Sequence, residues 1–214
     1  MGAMIIGKFN MEPIHNRLQK YKWGSRVLGS RFSTIFAAMS FLDHSKSNNF
    51  VETGTTRQYS EDPQVTVGDG SMTRLFGECV KSSGGHVWTC DIEPSHIENC
   101  KLATKEYAEM ITYVVDDSLN FLKNFSESID FLYLDSVDGW LAVAHEHQLK
   151  EIEAIYDKLT TETIILLDDL GSKTNLSIPF LKSKGWIQLT YENLPASHQL
   201  SQGLMIHKDK LCGS

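Results

Sequence analysis

Val51-Glu52-Thr53-Gly54-Thr55 is an apolar run that stops at an acid and turns on a glycine, and the same cadence recurs four more times along the chain. Val87-Trp88 leads to Asp91, Tyr113-Val114-Val115 to Asp116-Asp117, the run from Ile129 to Leu134 to Asp135, and the run from Ile164 to Leu167 to Asp168-Asp169. Acids are 27 of the 214 residues, too few for five successive apolar runs to end on one by chance. In an open parallel sheet the carboxyl ends of the strands share one edge, and ligands bind in the crevice outside it. The acids are therefore expected to converge on one cleft.

Between these runs the apolar spacing changes from that of strands to that of helices, over about 71–80, 95–107, 118–125 and 145–159. The last is the clearest, with Leu149, Ile152, Ile155, Tyr156 and Leu159 on one face. Strand and helix in alternation mean βαβ units with right-handed crossovers, hence an α/β fold with a mostly parallel sheet. A further helix over 175–184 ends at Gly185, followed by strands from Trp186 to Tyr191 and from Leu204 to His207 around a polar loop. Residues 14–43 have helical spacing broken near Gly24 and Gly29, which predicts an N-terminal helical cap over 1–47 in front of a main body over 48–214. The length suits one compact domain.

A net charge of −7 is unlike a nucleic-acid binder, which needs a basic face to displace counterions from phosphates. The charge is uneven: residues 1–46 carry seven Lys and Arg against Glu12 and Asp43, a local +5 that leaves −12 for the rest. A basic helix lying against an acidic body accounts for this, and a flap over an anionic substrate is the sharper alternative. Cys79, Cys90, Cys100 and Cys212 form no C-x-x-C pair, as expected of reduced thiols in the cytoplasm. The apolar stretch from Ile35 to Leu42 is too short to cross a bilayer. A soluble, cytoplasmic protein with no membrane or nucleic-acid partner is expected, with homo-oligomerisation left open.

Gly54-Thr55 at the end of the first strand and Gly68-Asp69-Gly70-Ser71 at the start of the next helix let backbone approach a ligand, and a helix amino end favours an anionic group. Asp91 follows Gly70 by 21 residues, where a carboxylate can accept both hydroxyls of a ribose.

With Val51-Glu52-Thr53-Gly54-Thr55, Thr89-Cys90-Asp91-Ile92, Asp117-Ser118, Leu134-Asp135-Ser136 and Leu167-Asp168-Asp169 in view, the chain from about 48 to 208 resembles the class I S-adenosylmethionine-dependent methyltransferases. Within them it most resembles small-molecule O-methyltransferases of the bacterial macrocin and catechol type. The resemblance implies a Rossmann-like three-layer sandwich whose seven-stranded sheet has an antiparallel last strand. It also implies that Glu52, Gly54, Thr55 and Ser71 contact the methionine part of the cofactor, Asp91 the ribose, and Asp117 with Ser118 the adenine, with Ile92 a further cofactor contact. One departure is an insert over 57–67 between Gly54-Thr55 and the second glycine pair, read as a lid or a plain surface loop.

Asp135, Asp168 and Asp169 are hard oxygen ligands on strands expected to be neighbours, and clustered carboxylates repel unless bridged by a cation. In metal-dependent members an Asp after the fourth strand and an Asp-Asn pair after the fifth bind the ion, so the resemblance implies Mg²⁺ here, with Asp169 standing where Asn is common. In a metal-free site Asp135 would instead hold the cofactor's ammonium, and Asp169 would cap the next segment. The metal would chelate vicinal oxygens of a hydroxylated small molecule and orient one toward the sulfonium methyl. The catechol enzyme's Lys position is Asp138 here, so Lys173 and His147 are the candidate proton acceptors, with His145 beside them. Trp140 is the aromatic placed to wall an acceptor pocket, Trp186 reads as core, and His198, Gln199 and Gln202 lie within reach of an acceptor. The alternatives are a non-catalytic or metal-free relative on the same fold, or a nucleotide- or NAD-dependent Rossmann enzyme; the latter lacks a compact G-x-G-x-x-G at the first turn.

Overall fold

The computed structural model describes residues 31–43, 45–59, 72–189 and 202–212. Seven strands, β1 (Asn48–Thr53), β2 (Gly85–Asp91), β3 (Ile111–Val115), β4 (Phe131–Leu134), β5 (Ile164–Leu167), β6 (Trp186–Gln188) and β7 (Gly203–His207), form one sheet in the order β3-β2-β1-β4-β5-β7-β6. The first five pair in parallel, and β7 runs antiparallel to both β5 and β6. This is the Rossmann-like methyltransferase fold. The order reverses between β1 and β4, which makes that pair the topological switch point.

The central strands are buried on both faces, so they read as continuous apolar runs rather than alternating ones. Phe50 and Phe131 face one layer, where α1 (Arg31–Ser40) and α2 (Met72–Ser83) supply Ile35, Met39, Leu75 and Phe76. The Phe50 and Phe76 rings stack at 4.8 Å. Val51, Leu132, Ile165 and Leu167 face the other layer, packed by Leu122 of α4 (Ser118–Asn124), Ile152 and Ile155 of α5 (Ala144–Ile155), and Leu181 of α6 (Ser177–Ser183). α3 (Pro94–Ala103) contacts β2 and β3, and α7 (Lys208–Cys212) follows β7.

Some expected elements differ in extent. The helix expected over 95–107 stops at Ala103, because Thr104 turns its hydroxyl back onto the Cys100 carbonyl at 2.6 Å and a 3₁₀ turn, Lys105–Met110, buries Tyr107. The buried face of α5 is rotated from the expected one: Gln148 and Glu151 are inside, whereas Leu149 is half-buried. Gln148 is satisfied there by the Ser177 hydroxyl at 2.7 Å. Of the cap expected over 1–47, the described part is α1, whose Ile35, Ala38 and Met39 are fully buried in the main core. Residues 1–30 lie outside the described residues, as do 60–71 and 190–201. Trp186 is core, as the sequence suggests. No helix among the described residues is long and apolar enough to cross a membrane.

Candidate functional site

The parallel register aligns the strand ends. Thr53 lies opposite Cys90 and Leu134, and Leu134 opposite Leu167, so the residues that follow, Gly54, Asp91, Asp135 and Asp168, stand in a row along one edge. The ladder continues one step past the strands: Gly54 N–H donates to the Cys90 carbonyl at 2.8 Å, Asp135 N–H to Thr53 at 2.8 Å, and Asp168 N–H to Leu134 at 3.1 Å. Gly54 has φ +78°, and a Cβ there would lie 2.2 Å from the Asp135 carbonyl oxygen, so both its conformation and the closeness of the two loops require glycine.

Glu52 precedes this edge and is turned toward α2, where its Oε2 accepts from the Thr73 and Thr89 hydroxyls. Burial, partly offset by those hydroxyls, raises its pKa from 4.5 to about 7. Glu52, Gly54, Thr55, Thr56, Met72, Tyr133 and Asp135 line a small pocket. Asp91, at the end of β2, accepts from the Thr55 N–H at 3.1 Å, from the Glu93 N–H at 2.9 Å, and stands 3.1 Å from His96 Nδ1. Oδ2, which takes only the Thr55 N–H, has capacity for a further donor such as a ribose hydroxyl. Beside it Ile92 is 64% exposed, an apolar surface that a purine would cover. Thr56 Oγ1 is buried without a hydrogen-bond partner among the described residues. A glycine cradle, an open carboxylate and an orphaned hydroxyl fit S-adenosylmethionine at this edge. Ser71, the remaining expected contact, lies outside the described residues.

Asp117 and Ser118 open α4. The Asp117 carboxylate accepts from the Leu119 and Asn120 N–H groups at 2.9 and 3.2 Å and so caps the helix. The Ser118 hydroxyl is 3.0 Å from His147 Nε2, which in turn lies 3.8 Å from the buried Glu151. The contacts of His147 are therefore with α4 and its own helix.

At the ends of β4 and β5 the expected carboxylates do meet: one oxygen each from Asp135, Asp168 and Asp169 lie within 4.8 Å of one another. They are not left to repel. Arg31 forks onto Asp168, Nε to Oδ1 at 3.0 Å and Nη2 to Oδ2 at 2.7 Å, and Lys173 Nζ lies 2.6 Å from Asp135 Oδ1 and 3.1 Å from Asp169 Oδ2. Burial alone would lower the Lys173 pKa, but Asp135, Asp169 and Asp168 more than offset it and hold the amine above its ordinary value. Burial, then the Asp168 charge, push the Asp135 carboxyl up against the pull of Lys173. The Tyr133 hydroxyl donates to Asp135 Oδ2 at 3.2 Å and accepts from Gln202 at 3.4 Å. Asp169 has φ 53°, a left-handed conformation that short polar side chains tolerate best.

Two expectations change here. Lys173, held protonated in an ion pair, is a cation of this cluster rather than a poised base. The oxygens expected to ligate Mg²⁺ already bond the chain's own cations, so the residues as arranged do not fit a metal, and one could enter only by displacing Arg31 or Lys173.

The loop after β4 closes this end of the crevice. A Cβ at Gly139 would lie 2.7 Å from Asp169 Oδ2, so its neighbour Trp140, 80% exposed, stands at the border of the acid cluster. Asp138 is tied across the edge to Arg57 at 2.6 Å, and the Arg57 carbonyl accepts from Asn99 at 2.7 Å; this is the described start of the insert expected over 57–67. Gln202 reaches Tyr133 rather than open solvent, and His198 and Gln199 lie outside the described residues. Sequence reasoning missed Arg31 and Tyr133 as site residues. Arg31 was one of seven cations in a basic stretch with nothing to single it out, and Tyr133 was hidden inside an apolar strand.

Residues 65–170 match a family model described as a methyltransferase domain. Among curated proteins no match was found. A methyltransferase of Podospora anserina with bound S-adenosylhomocysteine is similar over 98% of this chain and 100% of its own, at 13% identity and TM-score 0.57. An rRNA methylase of Streptococcus thermophilus is similar over 80% and 93%, at 14% identity and TM-score 0.56. The fibrillarin pre-rRNA processing protein of Methanococcus jannaschii is similar over 82% and 74%, at 12% identity and TM-score 0.55. At such identities the structures speak for the fold, and the family match places a methyltransferase domain on that fold over residues 65–170.

Proposed function

We propose that the chain transfers the methyl group of S-adenosylmethionine to a hydroxyl oxygen of a small molecule. The observation that carries this reading is the row Asp91, Gly54, Asp135 across β2, β1 and β4, which sets a ribose acceptor, a bare backbone and a carboxylate in sequence at the switch point. When bound, the cofactor supplies an electrophilic methyl on a sulfonium. Asp91 would accept the ribose hydroxyls, and the Gly54 backbone with Asp135 would hold the methionine part. As the acceptor oxygen bonds the methyl carbon, the carbon–sulfur bond breaks and the hydroxyl proton leaves. With Lys173 held as a cation, His147 is the proton acceptor the proposal retains. Replacing it with Gln should lower kcat for methyl transfer at unchanged affinity for S-adenosylhomocysteine; unchanged turnover leaves His147 only as the support of Ser118.

Acceptors among the similar structures include rRNA, but a net charge of −7 disfavours a polyanionic acceptor. A small hydroxylated acceptor suits the crevice better. The convergence of Asp135, Asp168 and Asp169 within 4.8 Å is met by Arg31 and Lys173, so no divalent cation enters the proposal. The cytoplasm is the proposed location. The test is transfer of labelled methyl from S-adenosylmethionine to a panel of phenols, sugars and catechols, with an RNA control. Labelled ether in any hydroxylated acceptor supports the reading, and label in RNA or in nitrogen acceptors alone overturns it.

A further inference from the structure

Three carboxylates within 4.8 Å at a site where Asp168 is 1% exposed and Lys173 3% need compensating charge, because an unpaired buried ion costs several kcal/mol. The chain provides two cations for them, each placed where a metal ligand set would be satisfied. The Arg31 fork uses both oxygens of Asp168, the bidentate geometry that guanidinium and carboxylate share. The Lys173 ammonium bridges Asp135 and Asp169, one from the end of β4 and one from the end of β5, as a bridging ion would. Its position is set locally, since the Lys173 N–H bonds the Asp169 carbonyl at 3.1 Å and holds the turn that aims the side chain inward. Arg31 comes from elsewhere in the chain, at the start of α1, whose Ile35 and Met39 anchor it in the core.

We propose that Arg31 and Lys173 are built-in substitutes for a divalent cation, so that the aspartate centre works without metal and a metal and Arg31 exclude each other. The ammonium and guanidinium offset the negative charge of the cluster, and Asp169, the most exposed of the three at 33%, is also open to solvent. A divalent ion added to this arrangement would place a third centre of positive charge within the same few ångströms, with both Asp168 oxygens already engaged by Arg31. Removing Arg31 inverts the balance: Asp168 becomes a buried, unpaired carboxylate beside two others, and a hard cation is then the cheapest way to satisfy it. The inference concerns the cluster alone and stands independently of which acceptor is methylated.

The test is titration of the full chain with Mn²⁺, a hard divalent probe, reading free ion by electron paramagnetic resonance. The wild type should leave Mn²⁺ free in the range where carboxylate triads bind it, whereas Arg31→Gln should take up one ion per chain at least about tenfold more tightly. Asp168→Asn in the Arg31→Gln background should cancel that gain. Lys173→Met gives the same comparison from the other cation if Arg31→Gln fails to fold. Wild-type protein that binds one Mn²⁺ tightly and loses it in Asp168→Asn overturns the proposal, and so does failure of both cation variants to gain affinity while folded.

Discussion

Gly54 and Asp135 approach so closely that no side chain fits between them: a Cβ on Gly54 would lie 2.2 Å from the Asp135 carbonyl oxygen, at a backbone φ of +78°. The contact joins the loops after β1 and β4 and so sets the width of the crevice at the switch point. Gly54→Ala should lose at least about 2 kcal/mol, from left-handed strain and from prying the loops apart, and should bind S-adenosylhomocysteine poorly even where it stays folded. Urea unfolding and calorimetric titration measure the two effects. A variant as stable as wild type would mean the loops do not meet as described.

Glu52 makes stability depend on pH. Its folded pKa, about 7, lies above the ordinary 4.5, so between those values the folded state holds a proton that the unfolded chain has released. The contribution is fully present below 4.5 and fades as pH rises through 7, by about 3 kcal/mol in all. Glu52→Gln keeps an acceptor for Thr73 and Thr89 but cannot ionise. The variant should gain on wild type as pH rises from 4.5 to 7, and a constant difference across that window would show that Glu52 does not titrate there.

Asp91→Asn retains an oxygen for the Thr55 or Glu93 N–H groups but puts an amide donor where a ribose hydroxyl would donate. Affinity for S-adenosylhomocysteine should fall roughly 10- to 100-fold, with the far-ultraviolet spectrum unchanged. Undiminished affinity would move the ribose away from β2.

Trp140 is 80% exposed, so its truncation should shift stability by less than about 0.5 kcal/mol. Trp140→Ala should raise KM for the acceptor and leave cofactor affinity alone. Weaker binding of S-adenosylhomocysteine in this variant would assign the side chain to the cofactor instead.

The row of strand-end acids was legible because each sits one step past an apolar run, a local pattern that survives folding intact. Pairing was also legible for β1 to β5, since a parallel sheet buried on both faces leaves uninterrupted apolar runs. What the pattern hid was long-range or dual-use chemistry. Arg31 meets Asp168 across 137 residues, a partnership no spacing encodes. Asp117 looked like a ligand contact, and its carboxylate caps α4; an N-cap and a strand-end ligand share the same sequence position in βα units. Lys173 stands in sequence as a candidate base just past Asp168-Asp169, and that same proximity keeps it charged. Gln148 and Glu151 broke the expected apolar face of α5 because Ser177 of α6 reaches Gln148 and His147, one turn earlier on α5, lies beside Glu151.

The most direct test of the cofactor site is the melting temperature of the full chain with S-adenosylhomocysteine at many times its dissociation constant, set against NAD and ATP. A ligand that binds only the folded state raises stability by RT ln(1 + [L]/Kd). A rise with S-adenosylhomocysteine alone, lost in Asp91→Ala, is the predicted result. A rise with NAD or ATP and none with S-adenosylhomocysteine would contradict the account.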